Sequence, residues 1–590
     1  MSLKERSEIP RKYKWDVDQI YSSTGEWQKD FDRAKKKIDG LKKYEDRLME
    51  SPETFSEFMA RYSETSILVD RLNVFASMRR DEDTRKEKFQ ALAAKADSLS
   101  TMLSSATSFV DVEIQEASEE DYNRIVESQE TEKYRHFLET TRERKEHTKS
   151  RETENALSSL QDVLSSPEDF YSTFTNADLE FPEVEKDGER TRITQSNFTK
   201  LLKDSDREFR KKAYNKFYGR IAEFDNTLAQ SLDKEVRSRT RLASIRNYDS
   251  SLEASLDRKD IPQKVLQDLI ESVNSNKNVL QEHQSLKKEA LGLEELKMYD
   301  LYVPLTDSNV EISFEKAKKH ILEALKPLGD EYVDVARQGL ESGWVDVYEN
   351  KGKRPGAYSG GGYDTDPFIL MNFKGDVQSM YTLIHELGHS MHSYFTRSEQ
   401  PYIYSDYGIF LAEIASTVNE QLLTDHLLEA GDKALKRRAL DYQLENFRNT
   451  LFRQALFAEF EKRIHDEVEN GEVLTSERLN ELYGELKEKY YQIPELDERI
   501  KKEWMRIPHF YYNFYVFQYA TGISAAAKIK KAIISEGRKD DYIDFLRSGG
   551  SNYPLKTLDI MDIEANEHTF KEAMDQYGRY LDQAEELFLN

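Results

Sequence analysis

At positions 385–389 the chain reads His-Glu-Leu-Gly-His, two imidazoles four residues apart with a carboxylate beside the first. In a helix, residues i and i+4 share a face, so His385 and His389 can reach one zinc ion while Glu386 projects to the side where an attacking water would sit. This is the donor pattern of a metallohydrolase. The surrounding sequence supports a helix. Asp376 suits an N-cap, and Met380, Ile384, Leu387, Met391 and Phe395 recur at helical period. That apolar stripe leaves His385, His389 and His392 on a second face and Glu386 apart from both.

A zinc site needs a third protein ligand. The layout with a Gly at the seventh and a His at the tenth position after the first His fails, because His392 and Phe395 stand there. A Glu-ligand design remains. Residues 407–426 read as a second helix with Glu413 and Glu420 on one face. One carboxylate would bind the metal and the other would orient a ligating His by accepting its free N–H. Spacing alone leaves open which does which.

Two further stretches carry chemistry. Trp344–Tyr348 and Phe368–Phe373 have strand composition, and between them Gly360, Gly361 and Gly362, flanked by Tyr358 and Tyr363, suggest a mobile loop. A strand just before the metal helix can offer its edge to an extended peptide, which makes Gly360 and Gly361 candidate substrate-binding residues. The plainer reading is a hairpin packed under the helix. Later, residues 510–519 hold seven aromatics, with Pro508 suited to a first helical turn. On a helical wheel Tyr511, Tyr512, Tyr515 and Tyr519 share one side, and Phe510, Phe514 and Phe517 the other. The phenyl rings read as core. The phenols, with His509, can donate to the oxyanion formed when water attacks an amide.

The run from His385 to His392, together with Phe410-Leu411-Ala412-Glu413, Ser416 and Glu420, resembles the thimet-oligopeptidase family of zinc peptidases and, within it, the bacterial oligopeptidase F branch. The resemblance is strongest over 345–525. It implies that His385, His389 and Glu413 hold one Zn2+ per chain, that Glu386 is the general base, and that Glu420 supports a ligand from behind. It also implies a His and tyrosines opposite the zinc. His509 transfers directly; Tyr515 and Tyr519 come into register with a one-residue offset, and Tyr512 competes with them.

Composition sets the bounds. The 590 residues, 33% of them charged and 38% hydrophobic, describe a helix-rich chain with a large core. Long amphipathic helices are expected at Trp27–Leu48, Phe55–Met78 and Lys86–Val112, a hairpin at Asp187-Gly188, a small sheet over 341–373, and helix again from 376 to Phe588. The expected fold is mainly α, two helical lobes around a deep channel, with a zincin-type catalytic domain and a small β-sheet. The expected division is an N-terminal helical domain over 1–200 and a catalytic domain over 201–590. No apolar run is long enough for a membrane span, no secretory signal opens the chain, and the absence of Cys fits a reducing cytoplasm. A net charge of -25 argues against nucleic acid as a partner. The expected function is zinc-dependent endopeptidase cleavage of short unfolded oligopeptides. The alternatives are a zinc carboxypeptidase of related helical fold and a non-catalytic peptide-binding scaffold.

Overall fold

The structure, a computed structural model, describes residues 3–306 and 310–589. Its chain forms two compact units, each assembled from three stretches: Met1–Glu146, Val310–Glu429 and Ile529–Asp562 in the first, His147–Asn309, Ala430–Lys528 and Ile563–Asn590 in the second. A single cut near residue 200 does not divide these units, since 200 lies inside the second. Buried long-range pairing explains the difference. Trp15 donates to Glu82 (2.9 Å), and Arg6 donates to Glu82 (3.0 Å) and Asp346 (2.6 Å), so the N-terminus is tied to a strand more than three hundred residues away.

The first unit opens with three helices, α1 (Thr24–Leu41), α2 (Pro52–Glu82) and α3 (Glu87–Ala106). Ser23 and Ser51 cap α1 and α2 by accepting N–H bonds from Glu26 and Thr54, and Pro52 occupies the first turn of α2. The three helices match the expected ones in place but not in length: α1 and α3 end several residues early in short turns, and α2 runs on to Glu82. Trp27, Phe31, Leu72, Phe75 and Leu99 form their shared core, which also takes in Phe368 and Leu370 of the sheet.

That sheet has three short strands, β1 (Val345–Asp346), β2 (Tyr358–Gly360) and β3 (Phe368–Leu370), in the order β1-β3-β2. β3 is central, parallel to β1 and antiparallel to β2, so β2 is an edge. Buried Lys353 closes the far side by donating to the carbonyls of Asp346, Tyr348 and Met371 and pairing with the Asp346 carboxylate (2.7 Å). Directly after the sheet come α4 (Val377–Glu399) and α5 (Ile409–Ala430).

The second unit is also mainly helical. The expected hairpin is present as strands Glu183–Lys186 and Glu189–Arg192, with Asp187 and Gly188 both at positive φ, as a tight two-residue turn requires. α6 (Arg453–Glu469) and α7 (Phe517–Glu536) frame the aromatic segment, the residues of α7 up to Lys528 belonging to this unit. Among the described residues no helix is long and apolar enough to cross a membrane.

Replacing Lys353 by Met removes an ammonium that donates to three carbonyls and pairs with the buried Asp346 carboxylate. A loss of about 3–5 kcal/mol of stability is expected, read from the denaturant midpoint of the two proteins.

Candidate metal centre

α4 forms where the sequence places it. The Asp376 carboxylate accepts the Ser379 N–H (2.7 Å) and caps the first turn. Met380, Ile384, Leu387, Met391 and Phe395 are all buried, so the apolar stripe points into the core and fixes the rotation of the helix. That rotation turns His385 and His389 toward α5. Gly388, between them, lies against the α5 backbone: a Cβ there would sit 2.5 Å from Ser416 Cα and 2.9 Å from the Ala415 carbonyl oxygen. Close approach of the two backbones brings the carboxylates of Glu413 and Glu420 within reach of the imidazoles.

Three donor atoms converge. The Nε2 atoms of His385 and His389 are 3.2 Å apart, and Glu413 Oε2 lies 3.6 Å from the first and 3.9 Å from the second. Donors bonded to a tetrahedral zinc ion lie about 3.3–3.6 Å from one another, so this triangle fits a divalent metal after small adjustments. Among the described residues no other group of three His, Asp or Glu side chains converges in this way. Each imidazole is also held from behind. His385 Nδ1 donates to Glu420 Oε1 at 2.6 Å, and His389 hydrogen-bonds the Ala412 backbone. Both Nε2 atoms are thereby left facing the centre. Glu413 and Glu420, interchangeable on the helical wheel, are thus separated by the geometry.

The electrostatics follow from burial and charge. Burial pulls the His385 imidazole down, but the Glu420 hydrogen bond and the charges of Glu420, Glu413 and Glu386 raise it to about 9. Burial and the neighbouring His385 charge hold His389 at about 3, against the pull of its hydrogen bond to the Ala412 backbone. Burial pushes Glu386 above the usual carboxylate range, against the pull of His385 and of a hydrogen bond from the Ser359 backbone N–H. A carboxylate whose proton affinity is raised by burial is a stronger base, suited to both taking and returning a proton.

Ser359 belongs to β2, and its hydroxyl also meets Ser390 Oγ of α4 at 2.8 Å, so the edge strand is pinned beside the metal helix. Gly360 ends the strand. Gly361 follows with φ +145°, its carbonyl accepting from the Arg397 guanidinium (3.1 Å). A Cβ at Gly361 would come within 2.8 Å of the Asp366 carbonyl oxygen, so only glycine fits. The segment is therefore an anchored edge beside Glu386.

His392, grouped on the wheel with His385 and His389, is not in the cluster: it is buried with its ring stacked on Tyr407 at 3.5 Å and 10°. Tyr407 was missed altogether, yet its hydroxyl contacts Ser393 Oγ and donates to the His389 carbonyl. Nothing in its local sequence marks it, because it sits in the turn before α5.

The second unit holds the aromatic cluster. The His509 ring lies 5.7 Å from Tyr512, 6.2 Å from Tyr515 and 6.2 Å from Tyr519, and the Tyr515 and Tyr519 hydroxyls are 3.5 Å apart. Burial and the Arg453 charge lower His509, which favours the neutral ring with its one N–H donor. The segment is not one continuous helix. A short 3-10 turn, Pro508–Tyr511, is followed by Asn513 and Phe514 at positive φ, and α7 starts only at Phe517. Tyr511 consequently leaves the phenol face on which the wheel placed it and is buried against Tyr171, with ring centres 4.5 Å apart.

Comparison with known proteins places the chain among peptidases. A sequence model of Peptidase family M3 matches residues 200–576, and one described as Oligopeptidase F matches 113–181. The chain is 40% identical to oligopeptidase PepF of Bacillus subtilis over 100% of its own length and 89% of the relative's. It is 39% identical to an oligoendopeptidase F homolog of Lactococcus lactis over 100% and 97%. A crystal structure of oligoendopeptidase-F from Enterococcus faecium superposes with a TM-score of 0.71 at 32% identity, covering 96% of this chain and 99% of that one.

A methyl group at Gly388 would have to push α5 away from α4. Gly388→Ala is expected to lower metal affinity at least about tenfold and to cost about 1–3 kcal/mol of stability. Competition with a fluorescent chelator and a thermal melt measure the two effects.

Proposed function

The chain belongs to Peptidase family M3, and we propose that it is a zinc endopeptidase that cleaves oligopeptides at the His385–His389–Glu413 centre. The observation that carries this reading is the triangle of two ring nitrogens and one carboxylate oxygen with Glu386 adjacent in sequence. An N2O donor set suits zinc, one ion per chain, though manganese or cobalt would also be accepted. Bound there, zinc would act as a Lewis acid on water and on the scissile carbonyl.

The residues of the chain supply the rest. Glu386, raised by burial, takes a proton from the attacking water at its carboxylate and returns it to the departing amine. Glu420 and the Ala412 backbone keep the two ring Nε2 atoms directed inward, a positioning role. The proposed roles of His509, Tyr515 and Tyr519 as donors to the developing oxyanion, and of the more exposed Tyr512 as a substrate contact, are supported by the gathering of their rings within the second unit. Gly360 and Gly361 receive the extended peptide backbone beside Glu386, a role supported by the edge position of β2.

Peptides as substrates are supported by the relatives named above. No nucleic acid is expected as a partner, given the net charge of -25, and a cytoplasmic setting is supported by the absence of Cys. We also propose an N-terminal helical domain over 1–200 and a catalytic domain over 201–590, a division supported by one family match ending at 181 and the other starting at 200.

Two variants test the mechanism. Glu386→Gln is expected to keep one metal ion per chain by elemental analysis while kcat on a quenched fluorogenic peptide falls about a thousandfold. His389→Ala is expected to lose the metal. Wild-type turnover in the Gln variant would overturn the assigned base. Stripping the wild-type protein with a chelator should abolish cleavage and zinc should restore it, while an intact folded protein is left uncut; mass analysis of the products of an end-blocked peptide separates internal from terminal cleavage.

A further inference from the structure

Beside the His509–Tyr512 turn, the second unit contains a cavity of about 440 Å³ that no step above uses. Its volume is within the range of small-ligand sites. Its lining includes Tyr512, the guanidinium of Arg506, the hydroxyls of Ser172, Thr175 and Ser196, and one acid, Glu168.

Arg506 is the unusual member. Its guanidinium lies over Phe198 at 4.9 Å and over Phe217 at 5.2 Å, two buried rings that are themselves stacked 3.8 Å apart. The position of the cation is therefore fixed by aromatic faces. Among the described residues no carboxylate, Glu168 included, lies within ion-pair distance of it, and its Nε is buried with no hydrogen-bond partner. The acid whose charge it feels, Glu503, is already saturated: it pairs with Lys487 at 2.5 Å and Arg453 at 2.7 Å and accepts from the Tyr483 hydroxyl at 2.7 Å. Around that carboxylate three cations face one anion. The surplus positive charge is Arg506, which lines the cavity together with three hydroxyl groups and Glu168, the latter beyond ion-pair reach of it.

A preorganised guanidinium among hydroxyls and without a counter-ion is built for a carboxylate. We infer that this cavity is a subsite for a carboxylate of the peptide substrate, held by Arg506, with Tyr512 joining it to the His509 cluster. The inference rests on the peptidase reading above. It supplies what that reading lacks, a charged anchor acting on an end or a side chain of a substrate otherwise read through its backbone.

The test uses one quenched peptide, containing a single Glu, in three forms: free C-terminal acid, C-terminal amide, and free acid with that Glu replaced by Gln. In the wild-type metalloenzyme one of the two neutralised forms is expected to raise KM about tenfold with kcat within about twofold. The amide does so if the anchor grips the chain terminus, the Gln form if it grips a side chain. Arg506→Gln should bring all three KM values together, and Arg506→Lys, which keeps charge without the planar fork, should leave a difference of only about two- to threefold. A purely structural role for Arg506 would lower activity on all three peptides alike. Equal KM values in the wild type, or an undiminished difference in Arg506→Gln, overturn the inference. Should no form be cleaved, the peptidase reading is what fails; anisotropy titration of Glu386→Gln with the same three peptides then still decides whether Arg506 binds a carboxylate.

Discussion

The contact between the α4 and α5 backbones at Gly388 and Ser416 is the constraint on which the centre depends. Metal ligands contributed by different helices must converge to within a few tenths of an ångström, and side chains alone do not enforce this. Here the two helices touch where a Cβ would collide with main-chain atoms. The approach is held from the other side by the buried stripe from Met380 to Phe395 and by Tyr381, whose hydroxyl meets Thr424 of α5 at 2.8 Å. Distance between ligands is thus set by backbone sterics, and direction by Glu420 and Ala412. The same packing dries the site, and that explains why Glu386 rises although a cationic imidazole stands next to it.

The metal helix was readable because every signal in it is local. A cap, a stripe and an i,i+4 pair are properties of one segment, and all three survive in the structure. Glu413 and Glu420 were readable only as a pair, since choosing between them requires the second helix to be docked. His392 shows the limit of the wheel: periodicity assigns a face but not the neighbour of that face, and Tyr407 occupies it. The division into compact units was beyond local reading altogether. It depends on contacts such as Arg6 with Asp346, which pair ends of the chain that share no pattern.

The two units handle buried charge in the same way. Asp346 in the first is enclosed by Lys353 and Arg6; Glu445 in the second is enclosed by Lys287 and Arg448, and Glu503 by Lys487 and Arg453. Each carboxylate is met by two cations, as burial requires when water is absent. Against that pattern Arg506, a cation with no acid of its own, stands out as the exception among these networks, and its aromatic bed accounts for how it is tolerated without one.

The break in the aromatic segment has a physical cause that also explains which hydroxyls gather. Asn513 tolerates the left-handed region, but Phe514 does so at a cost of about 1–3 kcal/mol that something must offset. Buried Glu461 of α6 accepts the Phe514 N–H at 2.6 Å, and Ser255 donates to the Asn513 carbonyl at 2.8 Å. Burial pushes Glu461 up to about 8 and the Phe514 N–H pulls it back, so the carboxyl and the turn depend on each other. Had the helix continued, Tyr511 would share a face with Tyr515 and Tyr519. The turn instead sends Tyr511 into the core against Tyr171 and Phe514 against His465, and it leaves Tyr512 and Tyr515 on the side of His509. The selection of tyrosines is made by two backbone angles, and those angles are held by a carboxylate fifty-three residues upstream.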